Sequence, residues 1–173
     1  MNSTITTCII LCISLAAIGY AQESRSAGPG ASIYPDYFAQ CYRETVKASK
    51  GTDPSTLSTR PCTKGLRASS NSVNQAALLH NRGIVLMAQG HLDEARLDFE
   101  RSVDLASEVG MQHIALAQLA YRQGDYETAI AMYDLILSSG TDNPAVQRNL
   151  ALIRENRARA EDGLSRTQVA GLD

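Results

Sequence analysis

Four cysteines and three histidines carry most of the chemistry open to this 173-residue chain, so their placement decides which reactions are worth considering. Cys8 and Cys12 lie in an 11-residue apolar run, 8–18, followed by Gly19, Tyr20 and Ala21. The run is shorter than the roughly 20 residues of a membrane span, and small residues stand at both recognition positions of a signal-peptidase site. Residues 1–21 are therefore expected to be a cleaved secretory signal. The segment before the run, MNSTITT, offers only the terminal amine as positive charge, and an uncleaved anchor or buried helix is the alternative. Leu11 before Cys12 does not suit lipoprotein processing, which needs a small residue there. An exported, trimmed chain keeps an even pair, Cys41 and Cys62, which reads as one disulfide. A metal site would need three or four ligands, and a redox pair would be separated by two residues, whereas twenty lie between these cysteines.

The histidines, His80, His91 and His113, have no Ser or Cys nucleophile and carboxylate arranged around them in sequence. The acidic run Asp93, Glu94, Asp98, Glu100, Asp104 and Glu108 alternates with Arg96 and Arg101, the pattern of a solvated helix face. The glycines next to Gln89 and Gln123 are turn glycines, with no phosphate-binding loop around them. No enzyme and no cofactor or metal is expected. A formal charge of −2 gives no footprint for a nucleic-acid or charged-membrane partner, and no stable membrane insertion is expected once the signal is removed.

The elements that hold these residues follow a repeat. Leu79, Gly83, Leu86, Gly90, Ala95, Phe99 and Ser102 recur 34 residues on as His113, Ala117, Ala120, Gly124, Ala129, Tyr133 and Ile136. A period of that length means stacked helix pairs. Each copy holds two apolar-periodic segments of about 14 residues joined by a glycine, Gly90 or Gly124, read as the small residue a tight turn between antiparallel helices needs. Gly83 with Ala95, and Ala117 with Ala129, are placed where the two helices of a pair cross; Phe99 and Tyr133 are placed in the groove between pairs. The stretches AQGHLDEARLDFERS and RQGDYETAIAMYDLI resemble the tetratricopeptide repeat, and Asn81-Arg82-Gly83 is similar to secreted Gram-negative bacterial members. Ser102 stands where a small apolar residue is usual, and His113 replaces a large apolar one.

The resemblance implies an all-α fold, a short right-handed α-solenoid of two helix pairs with N-terminal helices and a C-terminal capping helix. In chain order the expected parts are a signal at 1–21, a flexible lead at 22–34, an N-terminal helical segment with the Cys41–Cys62 bond at 35–70, and a repeat domain at 71–161. That domain divides into repeats 76–109 and 110–143 and a capping helix 144–161, and a disordered tail follows at 162–173. Within 35–70, a helix 35–50 carries Pro35 in its first turn and stops at Gly51, and a short helix follows at about 61–67.

Function is then expected from surface. The resemblance implies that leading helices line a concave groove holding a partner's peptide or helix. On the repeat register that groove would carry His80, Ile84 and Met87, then Ile114, Gln118, Tyr121 and Arg122, then Arg148, Leu152 and Glu155. Arg122 and Arg148 are read as a joint clamp for a carboxylate, with Met87 and Tyr121 as apolar contacts. The reading is an exported, periplasmic or secreted protein-interaction module with a protein or peptide partner. The alternatives are a structural or assembly accessory of a cell-envelope complex, self-association, and an enzyme dependent on His80 or His113.

Overall fold

The computed structural model describes residues 36–106 and 110–170, all helices and connecting loops, with no strand among them. The chain divides into two compact units, the first ending at Leu105 and the second beginning at Ala106. The readings of residues 1–34, of Pro35 and Glu108, and of 171–173 lie outside the described residues.

The first unit contains α1 (Tyr37–Ser49), a 3-10 turn (Pro54–Thr56), α2 (Arg60–Ala68), α3 (Ser72–Gln89) and α4 (Leu92–Leu105). Asp36 caps α1 by accepting the Ala39 N–H at 3.0 Å, and the chain leaves α1 through Gly51 at φ 71°. The segment after it does not stay irregular: Asp53 accepts the Ser55 N–H at 3.0 Å and starts the 3-10 turn. Pro61 falls in the first turn of α2, where its missing N–H costs nothing. α1 and α2 pack on each other and both pack on α3, and α3 packs on α4. Leu78, Leu79, Val85 and Phe99 are among the fully buried side chains of this core.

α3 and α4 form the helix pair expected at the first repeat. Asn71 caps α3 by accepting the Asn74 N–H at 3.0 Å. α3 ends at Gly90, φ 84°, the left-handed geometry that favours glycine. A Cβ at Gly90 would meet nothing within 4 Å, so this glycine is required by backbone conformation and not by close approach of the two helices. The close approach lies at Gly83, where a Cβ would stand 2.4 Å from Phe99 Cε1. Phe99 therefore fills space inside its own pair, directly over Gly83. Ser102, out of pattern in the sequence, donates to the Ala76 carbonyl at 2.8 Å and ties the pair at its other end.

The second unit contains α5 (Met111–Gln123), α6 (Tyr126–Ser138) and α7 (Pro144–Ala170). α5 packs on α6, and α6 on α7. Gly124 repeats the left-handed cap at φ 79°, and Asp125 caps α6 by accepting the Thr128 N–H at 3.1 Å. Ala117, Ala129 and Tyr133 are buried as the repeat pattern requires. The C-terminal region corrects the expectation of a helix 144–161 and a disordered tail 162–173: α7 continues to Ala170. Two features explain the extension. Stepping 34 residues from Gly124 reaches Ala158, so the residue that would break the helix is a strong helix former. Gly163, 34 residues after Ala129, then serves as a small contact residue, since a Cβ there would lie 2.6 Å from Tyr126 Cε1.

Candidate functional site

Cys41 and Cys62 are bonded and join α1 to α2. Both are fully buried and pack with Leu78 of α3, flanked by Phe38 and Leu66. Residues 41 and 62 face each other because α1 and α2 run antiparallel. Glu44, largely buried, accepts the Ser58 N–H at 3.0 Å and pairs with Lys47 at 2.6 Å, which supplies the partners a buried carboxylate needs. Thr45 Oγ1 donates to the Asn81 carbonyl at 3.3 Å, and Gln89 Nε2 to the Leu57 carbonyl at 3.1 Å, so hairpin and connecting loop are both fastened to α3.

The strongest polar site was not anticipated as one. Arg82 on α3 holds Asp98 on α4 in a two-pronged pair, both distances 2.7 Å, and reaches Thr63 on α2 at 3.2 Å. One guanidinium thus links three helices, and its fixed fork suits that task better than an ammonium. The hydrogen bonds it donates to Asp98 hold the Arg82 guanidinium above its ordinary range, while desolvation works against it. Asp98 is consequently interior and does not belong to the solvated face read from the sequence. The signal available was Arg82 itself, the one Asp, Glu, Lys or Arg of α3.

The histidines have three separate environments. His80 is buried against Phe99, ring centres 5.8 Å apart, with neither ring nitrogen hydrogen-bonded to another protein group, and burial pushes its pKa down to about 4. His113 is half-buried at the start of α5, where its Nδ1 accepts the Gly110 N–H at 3.3 Å; burial lowers its pKa too. His91 is exposed and pairs with Glu94 at 2.8 Å. Among the described residues no group of three or more His, Cys, Asp or Glu is placed to hold a metal ion, and no helix is long and apolar enough to cross a membrane.

The expected groove residues fall into two classes. His80, Ile84 and Met87 of α3, with Ile114 and Gln118 of α5, are buried, so they are interior side chains and not the solvent-facing contacts expected of them. Tyr121, Arg122, Arg148, Leu152 and Glu155 keep surface, and all five belong to the second unit. Tyr121 packs edge-on to Tyr126 at 5.5 Å, and Glu155 pairs with Arg159 at 2.6 Å. Arg122 and Arg148 are both exposed, on α5 and α7. α5 and α7 begin side by side, since a Cβ at Gly110 would lie 3.4 Å from the Asn143 side chain. Arg148 sits near the start of α7 and Arg122 in the last turn of α5.

A family description, tetratricopeptide repeat, matches residues 76–108, the span of α3 and α4 with its Gly83, Gly90, Ala95 and Phe99. Neither the comparison with curated proteins nor that with solved structures gave a match. The helix pair with a glycine crossing and a left-handed glycine cap, found where that pattern falls, means that this chain carries a tetratricopeptide repeat at residues 76–108.

Proposed function

We propose that the chain is an exported protein-interaction module, processed to begin near Gln22, that holds a segment of a partner protein on the surface of its second unit. The observation that carries the reading is the tetratricopeptide helix pair, an architecture that commonly presents surface to other proteins. Export is supported by the buried Cys41–Cys62 bond, since such bonds persist in oxidising compartments such as the periplasm. Within the second unit, Tyr121 and Leu152 offer partly exposed apolar surface, and Arg122 and Arg148 offer cationic contacts. A partner segment with apolar side chains and carboxylates spaced along it fits this set.

Two measurements test the proposal. The intact mass of the exported protein should correspond to a chain starting near Gln22 with one disulfide; a retained Met1 or two free thiols would overturn the export reading. Crosslinked capture from the periplasm should identify a partner whose affinity falls at least tenfold, about 1.4 kcal/mol, in the Arg122→Glu/Arg148→Glu variant. Unchanged affinity there, with loss on Arg96→Glu, would place the partner elsewhere.

A further inference from the structure

The first unit has two outer faces of opposite charge. On α1 and its C-cap, Arg43, Lys47 and Lys50 follow each other at steps of four and three residues, and Arg60, Lys64 and Arg67 repeat those steps on α2. All six are exposed. At about 100° per residue each set forms one stripe on the side of its helix turned away from the cystine, which faces Leu78 of α3. The bond from Cys41 to Cys62 and the contact from Glu44 to Ser58 bring Arg43 level with Arg60 across the hairpin. Among the described residues these six cations form a single ion pair, Lys47 with Glu44; Lys64 also stands over the Tyr37 ring at 5.6 Å. The hairpin's exposed carboxylates, Asp36 and Asp53, are engaged as backbone caps.

α4 has the opposite net charge outside, with Asp93, Glu94, Glu100 and Asp104 against Arg96 and the exposed Arg101. Its buried face is Ala95, Asp98, Phe99 and Ser102. On the far side lies the exposed row Asp93, Leu97, Glu100 and Asp104, with Leu97 65% exposed. α3 separates the two faces. Its contacts with the hairpin run through Leu78 and Asn81, and its contacts with α4 through Ala76, His80 and Gly83, on the other side of the helix.

We propose that the chain associates with itself head to tail, the cationic face of α1–α2 of one copy seated on the anionic row of α4 of the next. Both faces carry charges at a four-residue step along a helix, so rows of one can lie along rows of the other. A second copy fits better than a lipid surface. The exposed large apolar side chains of the described residues are Val73, Leu97, Leu135 and Val169, none of them on the hairpin, which leaves it nothing to insert into a bilayer. Because the two faces differ, the contact is heterologous and adds copies in a row without closing as a two-fold dimer. The inference does not depend on the partner-binding reading, which concerns the second unit.

Sedimentation of the intact exported chain tests it. At low salt the mass should grow with concentration, and at about 1 M salt, where the Debye length is about 3 Å, association should weaken at least tenfold. Arg43→Glu/Arg60→Glu and Glu100→Lys/Asp104→Lys should each be monomeric with unchanged melting temperature, since Glu suits the start of α2 and Lys the end of α4. An equimolar mixture of the two should regain association, because each supplies the face the other has reversed. A wild-type chain that stays monomeric at low salt, including one that binds anionic phospholipid vesicles instead, overturns the proposal. So do variants that associate like the wild type, or a mixture that regains nothing.

Discussion

An added methyl at Gly83 would press into the Phe99 ring, which is fully buried and cannot step aside. Gly83→Ala should therefore cost about 1–3 kcal/mol in urea unfolding, and Phe99→Leu in the same chain should recover part of that loss. Gly90→Ala should cost about 1–2 kcal/mol through its left-handed backbone alone and show no coupling to Phe99. Equal coupling at both glycines would contradict the division between contact and conformation. His80 gives a second residue-scale test. Its folded pKa of about 4 lies below the unfolded value of about 6.5, so the stability it confers is complete above that value and is lost as pH falls from about 6.5 to 4. The loss should reach about 3 kcal/mol. His80→Leu should remove most of that slope while His113, shifted the same way, keeps a smaller part. An unaltered slope would mean that His80 meets solvent. The spacing of Gly83, Ala95 and Phe99 was legible from the repeat, but the burial of His80, Ile84 and Met87 was not. α3 is apolar on several sides, and a helix of that kind is enclosed from more than one direction, so periodicity cannot say which side stays open.

At the scale of elements, α7 shows what a repeat pattern can conceal. A tail was expected at 162–173, and a glycine such as Gly163 weakens an isolated helix. In the folded chain Gly163 is the small residue that admits Tyr126, as Ala95 and Ala129 are small at the same repeat position. Ion pairs support the extension: Arg157 joins Asp134 of α6 and, one turn on, Glu161, and Arg166 pairs with Asp162. The bond from Arg157 holds the Asp134 carboxyl below its ordinary range. Each exposed pair contributes little alone, so docking on α6 carries more of the stability. Removing residues 162–173 should lower helical ellipticity in proportion to 162–170 and reduce the melting temperature. A disordered tail would leave both unchanged, which makes far-ultraviolet circular dichroism of the truncated chain decisive.

For the whole molecule, the pairing of the cysteines was readable from their number together with the expectation of export, whereas the reach of the bond was not. Residues 41 and 62 stand in two segments each read as a helix, and only the folded hairpin brings them onto Leu78, beside the bonds from Thr45 to Asn81 and from Arg82 to Thr63. The first unit has a cystine and side-chain ties between helices from Thr45 to Asn81, from Arg82 to Thr63 and Asp98, and from Ser102 to Ala76, while in the second α6 packs against α5 and α7 and Asp134 of α6 pairs with Arg157 of α7. Closing a loop with a sequence separation of 21 should contribute about 3 kcal/mol through the unfolded state. Hydrogen exchange on the Cys41→Ser/Cys62→Ser protein should therefore show faster exchange in α1 and α2 and on the α3 segment they cover, with α5, α6 and α7 exchanging as before. If protection fell equally in both units, the chain would be opening as one cooperative body, and the assignment of the bond's effect to the first unit would be wrong.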